Sequence, residues 1–211
     1  MFMPTAYHLR PTSAEARLEQ LIVERLKPGA DQELIDQRIW SLFGERWCIM
    51  FTDLSGFSRQ VAEFGIIHFL QIIYESQRLL TPCVEAHDGV LLKAEADSLM
   101  IIFRQPGSAL DAALQMMKVL HQHNQTRAPS EQVLLCLGLG WGQVLRVGDF
   151  EVFGPEVNAA SKLGEDTAKA GEILVTGSVE EALRHRRDVR FERLADSPPG
   201  AATAFKAIYT L

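Results

Sequence analysis

The stretch "WCIMFTDLSGFSRQ", Trp47 to Gln60, limits the fold more than any other part of the chain. Its apolar residues run without interruption from Trp47 to Phe51, reach an aspartate at Asp53 and stop at Ser55 and Gly56. A strand with no polar alternation is one covered on both faces, so the chain needs a central strand with layers on either side. The segment that follows, "SRQVAEFGIIHFLQIIYESQRLLTPCVEAH", places apolar residues three and four apart, which predicts one long helix kinked near Gly65. What remains to explain is a carboxylate, Asp53, at the end of a buried strand.

The other elements follow from the same periodicities. Residues 13 to 44 read as two short helices joined by the "KPGAD" turn. "DGVLLKAEADSLMIIF" is a β-hairpin with Asp97 near its turn, and "GSALDAALQMMKVLHQHN" is a helix opened by Ser108. "QVLLCLGLGWGQVL" is a glycine-rich strand, and a short strand then leads into a helix beginning near Pro155, a residue type favoured in the first helical turn. "GEILVT", "SVEEALR", "VRFERL" and "TAFKAIYTL" supply a strand, a helix and a closing strand pair. The fold class is therefore α+β, a ferredoxin-like βαββαβ core with extra strands and helices, preceded by a short N-terminal helical segment. The expected organisation is an extension over residues 1–45 and one domain over residues 46–211.

Bulk properties exclude some functions. The net charge of -6 comes without an extended basic stripe, so no nucleic acid is expected as partner. Cys48, Cys83 and Cys136 are odd in number, far apart and set in apolar sequence, which reads as reduced core thiols and a cytoplasmic location. No segment has the length of a bilayer span, and the N-terminus lacks a secretory pattern.

Asp53 and Asp97 fall on neighbouring central strands in this topology. Two such carboxylates suit hard divalent cations, Mg²⁺ or Mn²⁺, and two metals can clamp a phosphate during in-line displacement. Backbone amides at Ser55 and Gly56, in a tight turn entering a helix, are candidates to cradle a polyphosphate. Taken singly, Asp53 also reads as a helix cap and Asp97 as a turn residue, both commoner roles than catalysis.

Three blocks in order weigh against those plainer roles. "FTDLSGFS", "LLKAEADSLMIIF" and "EVFGPEVNAASK" resemble the signature of the class III nucleotidyl cyclase homology domain, the catalytic module of adenylate and guanylate cyclases. The resemblance covers roughly Trp47 to Thr176. It implies Asp53 and Asp97 as ligands of two divalent cations, with the Leu54 carbonyl as an extra ligand and Ser55, Gly56 and Phe57 against the substrate. It also implies Lys93 and Glu151 as purine readers, Asn158 at the ribose and Lys162 at the phosphates. A lysine and a carboxylate match adenine, whose ring nitrogen accepts and whose amine donates, so ATP is the implied substrate and cyclic AMP the product. The family's active site spans a two-fold dimer, which implies a homodimer.

The chain departs from the family pattern at several points. Ala96 stands where the family has glycine, and a positive φ there would strain it. Glu95 adds charge near the metals, Lys162 replaces an arginine and so loses the planar fork, and no K-G-[KR] phosphate loop is present, with Lys206 the nearest cation. These departures keep open a second reading, a cyclase-fold module that dimerises and binds nucleotide without turnover. Hydrolysis of a phosphate ester by the same metal pair is a third. The glycines of "GLGWG" lie within a strand and not at a strand-to-helix turn, so they are not a dinucleotide fingerprint. Arg146 reads as a surface residue or a substitute cation.

Overall fold

The computed structural model describes residues 13–211, without the side chains of residues 57–60. Two helices lead, α1 (Ala14–Arg25) and α2 (Gln32–Phe43), each opened by a side-chain cap: Ser13 accepts from the Ala16 amide and Asp31 from the Leu34 amide. α1 ends with Leu26 as its C-cap, and in the link to α2 Gly29 takes φ 78°, a left-handed conformation that lets the chain turn. The pair folds back through Arg25–Asp36 and Arg38–Glu24. Leu21, Ile35, Ile39 and Phe43 then form a small core with Val147 of the sheet.

The sheet is built from β1 (Gly44–Leu54), β2 (Val90–Glu95), β3 (Ser98–Phe103), β4 (Leu135–Val147), β5 (Glu151–Phe153), β6 (Ile173–Thr176), β7 (Arg190–Arg193) and β8 (Ala204–Ile208). Their order is β2-β3-β1-β4-β6-β8-β7, with β5 paired to β4. The chain path β1, α4 (Ile66–Ala86), β2, β3, α5 (Pro106–Asn124), β4 with sheet order β2-β3-β1-β4 is the ferredoxin-like arrangement expected from the sequence. Neighbouring strands are antiparallel except β4 and β6, which run parallel.

As its unbroken apolar run predicts, β1 is buried on both faces. Cys48, Met50 and Leu54 face a large core closed by α4, α5 and α7 (Gly177–Leu183). Trp47 and Ile49 face the other way, with Met100, Ile102, Val144 and Val157. Among the described residues, α6 (Pro155–Ser161) and the turn that continues it cover that second face and leave part of the sheet open as a cleft. All three cysteines are reduced and buried.

Two boundaries differ from the sequence reading. The long helix is two helices, α3 (Phe57–Phe64) and α4, because Gly65 at φ 85°, ψ 164° lies outside any helical region and separates them. α5 begins at Pro106, not at Ser108: proline in the first turn needs no amide partner, so it starts the helix two residues earlier. Among the described residues no helix is long and apolar enough to cross a membrane.

Candidate active site

The β1–β3 register ends at Thr52 opposite Leu99, which brings Asp53 alongside Ser98 and the hairpin tip that carries Asp97. A buried hydrogen bond locks this register: the Leu99 amide donates to Thr52 Oγ1 at 3.1 Å. Residues far apart in sequence thus place two half-buried carboxylates at one end of the sheet. The helix after the turn is capped by Gly56 without a side-chain hydrogen bond, so capping does not account for Asp53.

Burial pushes Asp53 up to about 6, and the charge of Asp97 pushes the same way; a hydrogen bond from the Leu54 amide opposes them, and Glu165 and Asp166 add further repulsion. Asp97 is raised too, by burial first and then by Glu165, against the pull of its own backbone amide. The site is therefore short of positive charge. Oxygen donors in that condition fit a hard divalent cation, which relieves the repulsion that a side-chain ammonium would otherwise have to offset. Among the described residues no three His, Cys, Asp or Glu side chains gather as a closed metal cage. A pair of carboxylates completed by water and substrate phosphate is the usual magnesium arrangement.

The tip of the hairpin is strained. Ala96 takes φ 50°, the left-handed region that the sequence reading marked as costly for alanine.

Beside the carboxylates opens a cleft of about 210 Å³ lined by Phe51, Lys93, Ser98, Met100, Val152 and Glu165, among others. Lys93 on β2, which lines it, pairs beside it with Glu151 on β5, 58 residues away in sequence: Lys93 Nζ donates to Glu151 Oε1 at 2.8 Å. A donor and an acceptor paired at the rim of an apolar slot is an arrangement that can read a planar heterocycle.

α6 carries the remaining candidates, and three glycines set its position. A Cβ on Gly138 would lie 2.1 Å from the Ala160 carbonyl oxygen, and one on Gly140 2.3 Å from that of Glu156. The "GLGWG" glycines therefore exist so that a helix can lie directly on β4. Glu156 fastens that helix: Oε2 accepts from the Trp141 amide at 3.1 Å and from Thr176 Oγ1 at 2.7 Å, and Oε1 accepts from Ser178 Oγ at 2.7 Å. The Trp141 amide lies where β4 has left β6, paired only as far as Leu139, and has not yet met β5, whose pairing with β4 starts at Leu145. Without Glu156 that edge donor would have no strand partner. Asn158 stands exposed on α6. Lys162, just past its end, is exposed and held by Asp166 at 2.5 Å, which raises its pKa.

Other expected contacts are redistributed. The Ser55 amide donates to the Leu134 carbonyl at 2.8 Å, so in this structure that amide is engaged within the protein. The phosphate-cradle reading then rests on Gly56, at φ 93°, and the first turn of α3. The side chain of Phe57 lies outside the described residues. Lys206 sits within β8 and pairs with Glu172 at 2.7 Å, away from the cleft. Arg146 lies in β4, with its guanidinium 5.2 Å from the ring centre of Trp47. Glu156 and Glu165 escaped the sequence reading. An acidic pair placed three and four residues after Lys162 was the available signal for Glu165, and nothing local marked Glu156.

A ferredoxin-like sheet with paired carboxylates beside an open cleft is an arrangement that suits phosphate chemistry. The family model described as the adenylate and guanylate cyclase catalytic domain matches residues 44–198. The chain belongs to that family. Among curated proteins it is 30% identical over 155 residues to a serine/threonine-protein kinase, pkn2, of Myxococcus xanthus, covering 74% of this chain and 18% of the relative. It is 27% identical over 162 residues to an adenylate cyclase of Streptomyces coelicolor, covering 76% of this chain and 38% of the relative. The chain thus spans well under half the length of these two relatives. An adenylate/guanylate cyclase/hydrolase from Silicibacter pomeroyi shares the fold at TM-score 0.68 and 22% identity, over 79% of this chain and 99% of that one. The adenylyl cyclase CyaB of P. aeruginosa does so at TM-score 0.65 and 18% identity, over 80% and 96%.

Proposed function

We propose that this domain is a metal-dependent adenylate cyclase that converts ATP to cyclic AMP and pyrophosphate, with its site completed at a homodimer interface. The observation that carries the choice of purine is the Lys93–Glu151 pair over the apolar slot. Lys93 donates to an adenine ring nitrogen and Glu151 accepts from the exocyclic amine; guanine offers the reverse pattern at its 6-position, a carbonyl that a carboxylate repels. Asp53 and Asp97 would hold the cations, with the Leu54 carbonyl as a further oxygen. When bound, the cations lower the pKa of the ribose 3′-hydroxyl and neutralise the triphosphate. The 3′-oxygen then attacks the α-phosphorus in line, the bond from that phosphorus to the bridging oxygen breaks, and pyrophosphate leaves while the hydroxyl proton passes to solvent. Asn158 orients the ribose, and Lys162 offsets charge at the α-phosphate once it exchanges Asp166 for phosphate oxygen.

One observation favours a second reading, a nucleotide-binding or dimerisation module. Lys162 and Lys206, the candidate phosphate cations, are both engaged with carboxylates of their own chain. The deciding experiment incubates the purified protein with ATP or GTP and Mg²⁺ or Mn²⁺ and follows cyclic nucleotide by mass, with Asp53→Ala as blank. Cyclic AMP above the blank supports the enzyme. No product from folded protein that ATP still stabilises thermally supports the binding module.

A further inference from the structure

Glu165, a cleft residue, has no part in that scheme. It lies in the single π-helical turn Lys162–Thr167 that continues α6. Its two oxygens accept from hydroxyls on separate elements: Ser98 Oγ on β3, at 3.1 Å, and Ser161 Oγ at the end of α6. Ser98 directly follows Asp97; Ser161 directly precedes Lys162 and lies one helical turn after Asn158. The turn itself is pinned at Gly164, where a Cβ would meet the Phe51 carbonyl oxygen at 2.8 Å, so Glu165 is presented from a fixed backbone. The hairpin tip is the less constrained partner, since Ala96 is exposed and held at φ 50°.

We propose that Glu165 is a positioning residue of the nucleotide site, a carboxylate strut that holds the Asp97 hairpin at a set distance from the end of α6. The inference rests on the reading of Asp53 and Asp97 as metal carboxylates. It goes further by assigning the geometry of Asp97 to a residue outside the three sequence blocks, reached only through the two serines. Releasing the strut lets the strained tip relax, and the spacing of Asp97 from Asp53 is lost.

The test compares the full chain with Glu165→Gln and Glu165→Ala, without nucleotide. One readout is amide hydrogen exchange over residues 94–99, and the other is the Mn²⁺ midpoint for thermal stabilisation. Glu165→Ala should speed hairpin exchange about tenfold and raise the Mn²⁺ midpoint about tenfold, as is typical when a group that orients a metal ligand is lost. Glu165→Gln accepts from one serine, donates to the other and should bring both readouts back to within about threefold of wild type. Wild-type values for Glu165→Ala overturn the proposal. So does a Glu165→Gln as impaired as Glu165→Ala, which would assign the effect to charge, or a wild type whose stability ignores Mn²⁺. If Glu165→Ala does not fold, Ser98→Ala and Ser161→Ala each remove one bond and should shift both readouts in the same direction, to a smaller extent; no shift in either overturns the strut. A wild type that makes no cyclic AMP yet shows the Mn²⁺ shift on Glu165→Ala keeps the strut and loses the cyclase reading. A wild type that makes cyclic AMP with an indifferent Glu165→Ala does the reverse.

Discussion

Replacing Asp53 by asparagine should make the metal-free protein more stable at neutral pH. Burial and the neighbouring carboxylates push Asp53 up to about 6, against ~3.9 for an ordinary aspartate. An acid whose folded pKa is raised binds more protons in the folded state than in the unfolded one. Stability contributed by its neutral form is present below about 4 and is lost as pH rises toward about 6. At ~1.4 kcal/mol per pH unit the full penalty above pH 6 is about 3 kcal/mol, and solvent screening of a half-exposed carboxylate reduces it to about 1–1.5 kcal/mol. Asparagine keeps the shape and carries no charge, so Asp53→Asn should gain that amount in urea unfolding at pH 7.5 and nothing at pH 3.5. Saturating Mn²⁺ should reverse the order, stabilising wild type and leaving the variant unchanged. A variant less stable than wild type at pH 7.5 without metal would refute the picture of an uncompensated carboxylate.

Other consequences are equally direct. Ala96→Gly should raise stability by about 0.5–1 kcal/mol in the same unfolding assay, since glycine adopts φ 50° freely and only part of the gain is offset by unfolded-chain entropy. Gly140→Ala drives a methyl into the Glu156 carbonyl and should cost about 2–4 kcal/mol, read by thermal unfolding; full stability would mean that α6 is free to lift off β4. Lys162→Arg restores a planar bidentate donor and should raise the rate of cyclic AMP formation by roughly tenfold if the lysine meets phosphate in the reaction. An unchanged rate would take Lys162 out of the mechanism.

Much of this site was legible in local sequence because each block is a local structure. An apolar run that gives way to Asp53 is a buried strand reaching one end of the sheet, and "KAEADS" is a hairpin whose tip must carry Asp97 outward. Boundaries were less legible where one residue decides between two regular states, as at Gly65 and Pro106. The engagement of the Ser55 amide was not legible for a tertiary reason: it donates to the Leu134 carbonyl of a segment far along the chain.

The sequence by itself determined the element order, the two carboxylates, and the lysine, glutamate and asparagine of the ordered blocks, since periodicity and motif spacing are properties of a local chain. Only the tertiary structure decided which distant groups share an environment. Lys93 and Glu151 become a pair through the pairing of β4 with β5 on one side and of β3 with β2 on the other. Asp53 acquires its raised pKa from burial and from Asp97, Glu165 and Asp166, which no spacing rule brings to it. Glu156 and Glu165 gain their roles from an unpaired strand edge and two serines on separate elements. Hydrogen bonds and charge act over a few ångströms of space whatever the separation along the chain, and that is why those assignments waited for the fold.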